Sequence, residues 1–260
     1  MAHETTAVEQ SLFNDITAHA ASLWDKSRDI TGRSDDPKMF SIMLFKRLWS
    51  NHRGYIVLWN SGLQTESDII LRSGVEASIC LAANYEMREN FVQLMHGDAI
   101  FTLKGQIKMW RAEGSMDMVS YSEAVLRDIQ SRFRGAIKPA RLSWKSLAEQ
   151  GKVPDLYGWH RMLSGLSSHV TGASVLTAVA PADGPNPGAE LGSLQRKLHL
   201  MMMAGATLQG CLRHAGMLDD ESACAETVAL LTQLSDLSWD WPGVGGQQTA
   251  NKQGDKSLNR

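Results

Sequence analysis

The sequence predicts an all-α protein, a multi-helix bundle with a C-terminal helix pair and a disordered tail. Three observations support this fold class. Apolar residues recur at three- and four-residue spacing along most of the chain, and residues that cap or break helices interrupt the pattern at helix-length intervals. No stretch has the apolar–polar alternation of a strand. The composition, 43% hydrophobic and 21% charged, is that of a globular chain with a sizeable core.

The first half of the chain predicts five helices. Thr6 and Glu9 form a capping box that opens the first helix, which runs to about Asp29. Ser120 and Glu123 form a second capping box, which opens the fifth helix. The second, fourth and fifth helices are expected over residues 38–60, 96–110 and 120–134, and the third opens at Thr65, Glu66 and Asp68 and continues through the apolar stretch 69–83. Because the third stretch is the most apolar of these, its helix should lie at the centre of the bundle.

The second half predicts two short helices, a loop and a helix pair. The short helices are expected over residues 142–150 and 157–167. Residues 181–188, PADGPNPG, should form a loop that separates the body from a C-terminal helix pair at about 190–238. The run Met201–Met203 in this pair is typical of helix-pair core packing.

Composition and charge limit the possible partners. We expect one helical domain over residues 1–240 and a disordered tail over 241–260, whose polar residues bury too little apolar surface to become ordered. The formal net charge of -2 predicts no general attraction to nucleic acid or to an anionic membrane. The N-terminal residues lack a signal-peptide pattern, and no apolar run reaches the length of a spanning helix. A cytoplasmic protein with no membrane partner is therefore expected.

The cysteines and the absent motifs exclude several classes of enzyme. Three cysteines with no CxxC spacing are typical of reduced, buried thiols. Cys211, His214, His199 and Cys224 complete no recognised zinc spacing, and the chain contains no P-loop, dinucleotide-binding or serine-hydrolase motif. Neither a metal nor a cofactor is predicted. A homodimer through the C-terminal helix pair is the expected assembly.

Two charged residues stand in the most apolar helix. Arg72 and Glu76 lie four residues apart on one face, among isoleucines and a valine. Helices favour the acidic residue on the N-terminal side of the basic one, and here the order is reversed. We therefore expect Arg72 and Glu76 to bind partners on other helices.

A polar stripe in the segment YGWHRMLSGLSSHVTG is the second candidate. Tyr157, Arg161, Ser164 and Ser168 recur at helical spacing, and His169 follows at once. If this stripe docks against Arg72 and Glu76, the side chains form a buried polar network. A histidine held by a carboxylate is a candidate general base, which makes His169, Arg72 and Glu76 the candidate catalytic residues.

These two segments resemble a widespread, mostly bacterial family of domains of unknown function, family 5677. The resemblance rests on the RSGVE helix and on the later AEQGKVPDLYGWHRMLSGLSSH segment, and it spans about residues 40–180. It implies an all-α fold. By motif position it singles out Arg72, Ser73, Glu76, Tyr157, Ser164 and His169, and it adds Ser73 to Tyr157, Arg161, Ser164 and Ser168 as candidate ligand-binding residues.

The helical layout is also similar to that of the HEPN superfamily of helical ribonucleases and nucleotide-binding modules. The HEPN signature is an arginine followed by four to six residues and a histidine. Arg161 and His169 are separated by seven residues, which departs from this spacing. Arg47 and His52 fit it, but one such match is expected by chance, and Leu48 stands where the signature has a polar residue.

A local basic stretch is the best candidate for a nucleic-acid patch. It contrasts with the near-neutral chain, and an ordinary solvated surface is the alternative interpretation. The stretch comprises Arg127, Arg132, Arg134, Lys138, Arg141 and Lys145.

The sequence leaves two hypotheses for function. In the first, the Arg, Glu, Tyr, Ser and His network organises the fold and borders a small anionic-ligand pocket, in which Arg72 holds the anion and Glu76 orients His169. In the second, the protein is a metal-independent HEPN-type ribonuclease of stress or phage defence, with RNA as partner and His169 as base. Whether the chain is an enzyme is left open.

Overall fold

A computed structural model describes residues 5–33, 35–131, 137–166 and 187–238 of the chain. Within these ranges the chain forms nine helices and no strand, so the all-α prediction is confirmed. None of the described helices is long and apolar enough to cross a membrane. In chain order the helices are α1 Ala7–Ser27, α2 Pro37–Asn60, α3 Gln64–Met87, α4 Glu89–Ala112, α5 Met116–Ser131, α6 Trp144–Gln150, α7 Pro154–Leu166, α8 Pro187–Met217 and α9 Glu221–Ser238.

The first predicted capping box is confirmed and the second is wrong. The Thr6 N–H donates to Glu9 Oε2 at 2.8 Å, and the Glu9 N–H donates to Thr6 Oγ1 at 3.2 Å. Ser120 instead lies inside α5. The chain reverses at Gly114, whose φ of +74° ends α4, and α5 begins two residues later. The polar residues of SYSE are therefore part of a helix that has already started.

The loop prediction is wrong for residues 187 and 188, because α8 begins at Pro187. Proline is well tolerated in the first turn of a helix, where its missing N–H has no intrahelical partner. Residues 181–186 lie outside the described residues, as does the predicted tail at 241–260.

Helices α3 and α8 form the centre of the bundle. As predicted, α3 is central, and it packs against α2, α4, α6, α7 and α8. The sequence analysis set the C-terminal pair apart from the body, whereas α8 packs against α1, α2 and α3 as well as α9. The run Met201–Met203 is buried in this shared core, where the Met203 methyl group packs against Gly74 of α3. The prediction of core methionines is confirmed, but the core is that of the whole bundle.

Buried polar contacts connect α8 to three other helices. His52 of α2 illustrates them: its Nδ1 lies 2.8 Å from Thr207 Oγ1 of α8, and its Nε2 lies 2.9 Å from Thr17 Oγ1 of α1. The Thr17 hydroxyl donates to the Phe13 carbonyl, so it accepts from His52, and Nε2 carries the ring proton. Further contacts to α8 are Ser41 with His214 at 2.8 Å, Asp68 with His199 at 2.6 Å and Glu9 with Lys197 at 2.9 Å.

Two of the buried histidines should make the fold sensitive to acid. Burial lowers the pKa of His52 to about 4 and that of His214 to about 3. Below pH 6.5 the unfolded chain protonates both rings while the folded chain does not, so the free energy of unfolding falls as the pH falls. Each histidine should contribute a loss of up to about 1.4 kcal/mol per pH unit between its unfolded and folded pKa. Urea unfolding at pH 7.5, 6.5, 5.5 and 4.5 measures this, and a flat profile would contradict it.

Candidate functional site

Arg72 and Glu76 pair with each other and with a residue of α7. Arg72 Nη2 lies 3.1 Å from Glu76 Oε1, so the reversed order does not prevent an ion pair within α3. The same carboxylate oxygen lies 3.1 Å from Nε2 of His160. The expected partner on another helix is therefore present, and it is His160.

His160 is held on several sides. Its side chain is 10% exposed and lies against Trp144, at 5.3 Å between ring centroids, and against Tyr157, at 6.2 Å. A carboxylate only accepts hydrogen bonds, so Nε2 carries the proton toward Glu76. The other ring nitrogen, Nδ1, is enclosed and has no hydrogen-bond partner among the described residues. In the neutral ring it presents a lone pair.

The His160 ring borders a small cavity of about 310 Å³, which is at the lower end of the range for small-molecule sites. We call this the α6–α7 cavity. The walls come from the start of α6, with the residue before it, and from one face of α7. The lining residues are Ser143, Trp144, Lys145, Tyr157, His160, Arg161 and Ser164.

Close backbone packing positions these walls. A Cβ at Gly151, between α6 and α7, would lie 2.8 Å from the backbone nitrogen of Ala83, so only glycine lets this turn lie against α3. The segment that leads into α6 is fixed to α4, because the Leu142 N–H donates to Asp98 Oδ1 at 3.0 Å and the Ala140 N–H donates to the Gly97 carbonyl at 3.1 Å. The Ser143 hydroxyl then caps α6.

The charges around the α6–α7 cavity favour an anion. Arg161 and Lys145 are exposed cations, and no carboxylate belongs to the described lining. Lys145 has only a long contact of 3.8 Å with Glu149, and both side chains are well exposed, which makes this pair weak. Glu76 lies behind His160, and Arg72 offsets its charge.

The structure brings part of the predicted site together. Tyr157, Arg161 and Ser164 line the cavity beside His160. The Ser164 hydroxyl donates to the His160 carbonyl at 2.6 Å, so its proton is already used and it can only accept a hydrogen bond from a ligand. Ser168 and His169 lie outside the described residues.

Ser73 does not belong to this site. Its hydroxyl accepts from Arg47 Nη2 at 3.2 Å and from Asn51 Nδ2 at 3.1 Å, both on α2. Arg72 and Ser73 are neighbours in sequence and so point in different directions around α3. The prediction that Ser73 shares a ligand site with Tyr157 and Ser164 is wrong for this reason.

His160 is the residue that the sequence analysis missed. It follows Tyr157 by three residues and precedes Ser164 by four, so it fits the same helical stripe. Trp144 and Ser143 were missed as well, since nothing in the sequence places the start of α6 beside α7.

Of the two residues that match the HEPN spacing, Arg47 and His52, the histidine lies in the core of the bundle. His52 is fully buried, and both ring nitrogens are bonded to threonine hydroxyls. In this position it has no surface to present to RNA. Of the predicted basic patch, Arg127, Lys138, Arg141 and Lys145 are exposed, while Arg132 and Arg134 lie outside the described residues.

The thiols agree with the sequence analysis. Cys80 and Cys211 are buried and Cys224 is partly exposed, and burial raises the pKa of Cys80 to about 12. In the part of the chain that the structure describes, no cluster of three or more His, Cys, Asp or Glu side chains is placed to hold a metal ion.

In comparisons with known proteins, the chain matches no protein-family model, no curated protein and no solved structure.

Proposed function

We propose that the protein binds a small phosphate-like anion in the α6–α7 cavity. The observation that carries this proposal is the composition of the lining: two cations, Arg161 and Lys145, and two hydroxyls that can donate, those of Ser143 and Tyr157, line the space, and its described part contains no carboxylate. Charge-assisted hydrogen bonds from such groups are the strong contacts that anion sites use.

Each lining residue has a role in this proposal. Arg161 supplies a planar guanidinium that binds two oxygens of the anion, and Lys145 adds a second positive charge. Arg72, which the sequence analysis assigned to the anion, instead neutralises Glu76. The hydroxyls of Ser143 and Tyr157 complete the shell, and Ser164 accepts a hydrogen bond.

The Nδ1 atom of His160, which is unpaired among the described residues, favours one class of anion over another. Glu76 keeps the proton of the His160 ring on Nε2, so the enclosed Nδ1 is an acceptor to which no described group donates a hydrogen bond. An anion that carries an O–H group supplies one, and leaving this nitrogen unsatisfied is costly. At neutral pH phosphate retains a proton, whereas sulfate does not. We therefore expect phosphate to bind more tightly than sulfate.

Calorimetric titration tests the proposal. Wild type should bind phosphate, and Arg161→Met should weaken the binding at least tenfold, because a hydrogen bond to a charged group contributes about 1.5–3 kcal/mol. Lys46→Met, which removes an exposed cation of α2 far from the lining, is the matched control and should bind as wild type does. Equal phosphate affinities for the two variants, or no binding by wild type, would contradict the proposal.

A ribonuclease is the second candidate. It is favoured by one observation: Lys145 lines the cavity and also belongs to the exposed basic stretch with Lys138 and Arg141, so an RNA backbone could continue along it from the cavity. Wild type, His160→Gln and His169→Ala should be assayed with a mixed pool of single-stranded RNA. Cleavage that one of these histidine variants abolishes while it remains folded supports a ribonuclease. Intact RNA in all three samples ends this alternative and leaves phosphate binding unaffected.

A further inference from the structure

A second and larger cavity lies on the other side of α7. Its volume is about 520 Å³, within the range of about 300–1,000 Å³ that is typical of small-molecule sites. It is a groove between the start of α7, the middle of α8 and the last turns of α9, and we call it the α7–α9 groove. None of its lining residues belongs to the α6–α7 cavity.

One part of the groove is apolar. Trp159 and Leu234 cover Gly205 of α8 at the floor, because a Cβ there would lie 3.1 Å from Trp159 Cη2 and 3.7 Å from Leu234 Cδ2. Trp159 and Leu234 are only partly buried, so they retain apolar surface beside this floor. Met201 and Met202 extend the same wall, and methionine adapts readily to flexible chains.

The remaining part is cationic. Lys152 Nζ lies 2.6 Å from Glu86 Oε2, and Arg213 Nη1 lies 3.5 Å from Glu86 Oε1. Arg213 Nε is enclosed and has no partner among the described residues. Nη1 is the nitrogen of Arg213 that faces Glu86, so the opposite edge of the guanidinium, formed by Nε and Nη2, does not face that carboxylate. An edge of this kind binds a carboxylate through two parallel hydrogen bonds.

The guanidinium of Arg213 is also held in place. Its Cζ lies 5.5 Å from the centre of the Tyr85 ring, and Cζ of Arg88 lies 4.9 Å from the same ring. Lys152 and Arg213 are the cations of the lining, Asp155 is its carboxylate, and Glu86 contacts both cations from outside the lining.

We propose that the α7–α9 groove binds an unbranched carboxylic acid of medium chain length. The carboxylate pairs with the Nε–Nη2 edge of Arg213, close to Lys152, and the alkyl chain lies along the partly exposed faces of Trp159, Leu231 and Leu234. This charge complementarity distinguishes the acid from an uncharged apolar ligand of the same length. The proposal does not depend on phosphate binding in the α6–α7 cavity.

Calorimetric titration with decanoate and with decan-1-ol is the test. Wild type should bind decanoate at least tenfold more tightly than decanol, and Arg213→Met should abolish this difference while its circular dichroism spectrum and cooperative unfolding remain those of a folded protein. Lys152→Met, at an exposed position that does not endanger folding, should weaken decanoate binding several-fold, and Leu234→Gln should weaken both ligands. Lys46→Met is the control and should leave both affinities unchanged.

Two results would overturn the proposal. The first is no saturable decanoate binding by wild type, and the second is equal affinity for decanoate and decanol.

Discussion

Replacing Lys197 by methionine should lower the free energy of unfolding by about 3–5 kcal/mol. Lys197 of α8 and Glu9 of α1 form an ion pair at 2.9 Å, and their side chains are only 7% and 4% exposed. Methionine keeps most of the apolar stem of lysine but removes the charge, so the buried Glu9 carboxylate loses its ion pair with Lys197. That cost exceeds the value of a surface pair by several-fold.

Chemical unfolding at pH 7 measures this effect, with Lys46→Met as the matched change at an exposed lysine. The double variant Glu9→Gln/Lys197→Met should be more stable than Lys197→Met alone, because glutamine removes the buried negative charge that Lys197 paired with and still accepts the Thr6 N–H in the capping box. If Lys197→Met is as stable as Lys46→Met, the ion pair of Lys197 with Glu9 contributes no more than a surface pair, which would contradict the prediction.

The glycine at position 210 should be the least replaceable small residue of α8. A Cβ there would lie 2.1 Å from Leu48 Cδ2 and 3.1 Å from Leu81 Cδ1. Both leucines are enclosed in the core, so neither has free space into which to move. Gly210→Ala should therefore destabilise the protein by about 1–3 kcal/mol, although alanine is the better helix former.

Gly105 of α4 is the matched control. It is also a helical glycine, but a Cβ there has no neighbour within 4 Å. Gly105→Ala should stabilise the protein by about 0.4–1 kcal/mol through the lower entropy of the unfolded chain. Thermal and urea unfolding of the two variants should give shifts of opposite sign. Shifts of the same sign would contradict the close packing of α2 against α8.

The sequence predicted the helices well because their ends depend on local chemistry. The capping box at Thr6 and the proline at position 37 act within one turn, and both predicted starts are confirmed. The capping-box pattern gave a wrong helix start at Ser120, because the same residue types can occur inside a helix as well as at its start. Which helices pack together is not local, and the central place of α8 was missed for that reason.

The candidate site was predicted in part. Helical spacing correctly grouped Tyr157, Arg161 and Ser164 on one face of α7, and apolar surroundings correctly drew attention to Glu76. The histidine that meets Glu76 depends on the rotation of α7 against α3, which close packing at Gly151 helps to set. Periodicity contains no information about that rotation. The resemblance to the family of unknown function stays a prediction.

Anion binding in the α6–α7 cavity is the central claim, and crystals soaked in arsenate test it most directly. Arsenate keeps a proton at neutral pH as phosphate does, and its arsenic atom is located by anomalous scattering. The account predicts an arsenic peak in the cavity, with oxygens within hydrogen-bonding distance of the Arg161 guanidinium and of His160 Nδ1. An arsenic peak only at other sites, or an empty cavity at an arsenate concentration that saturates binding in solution, would contradict it.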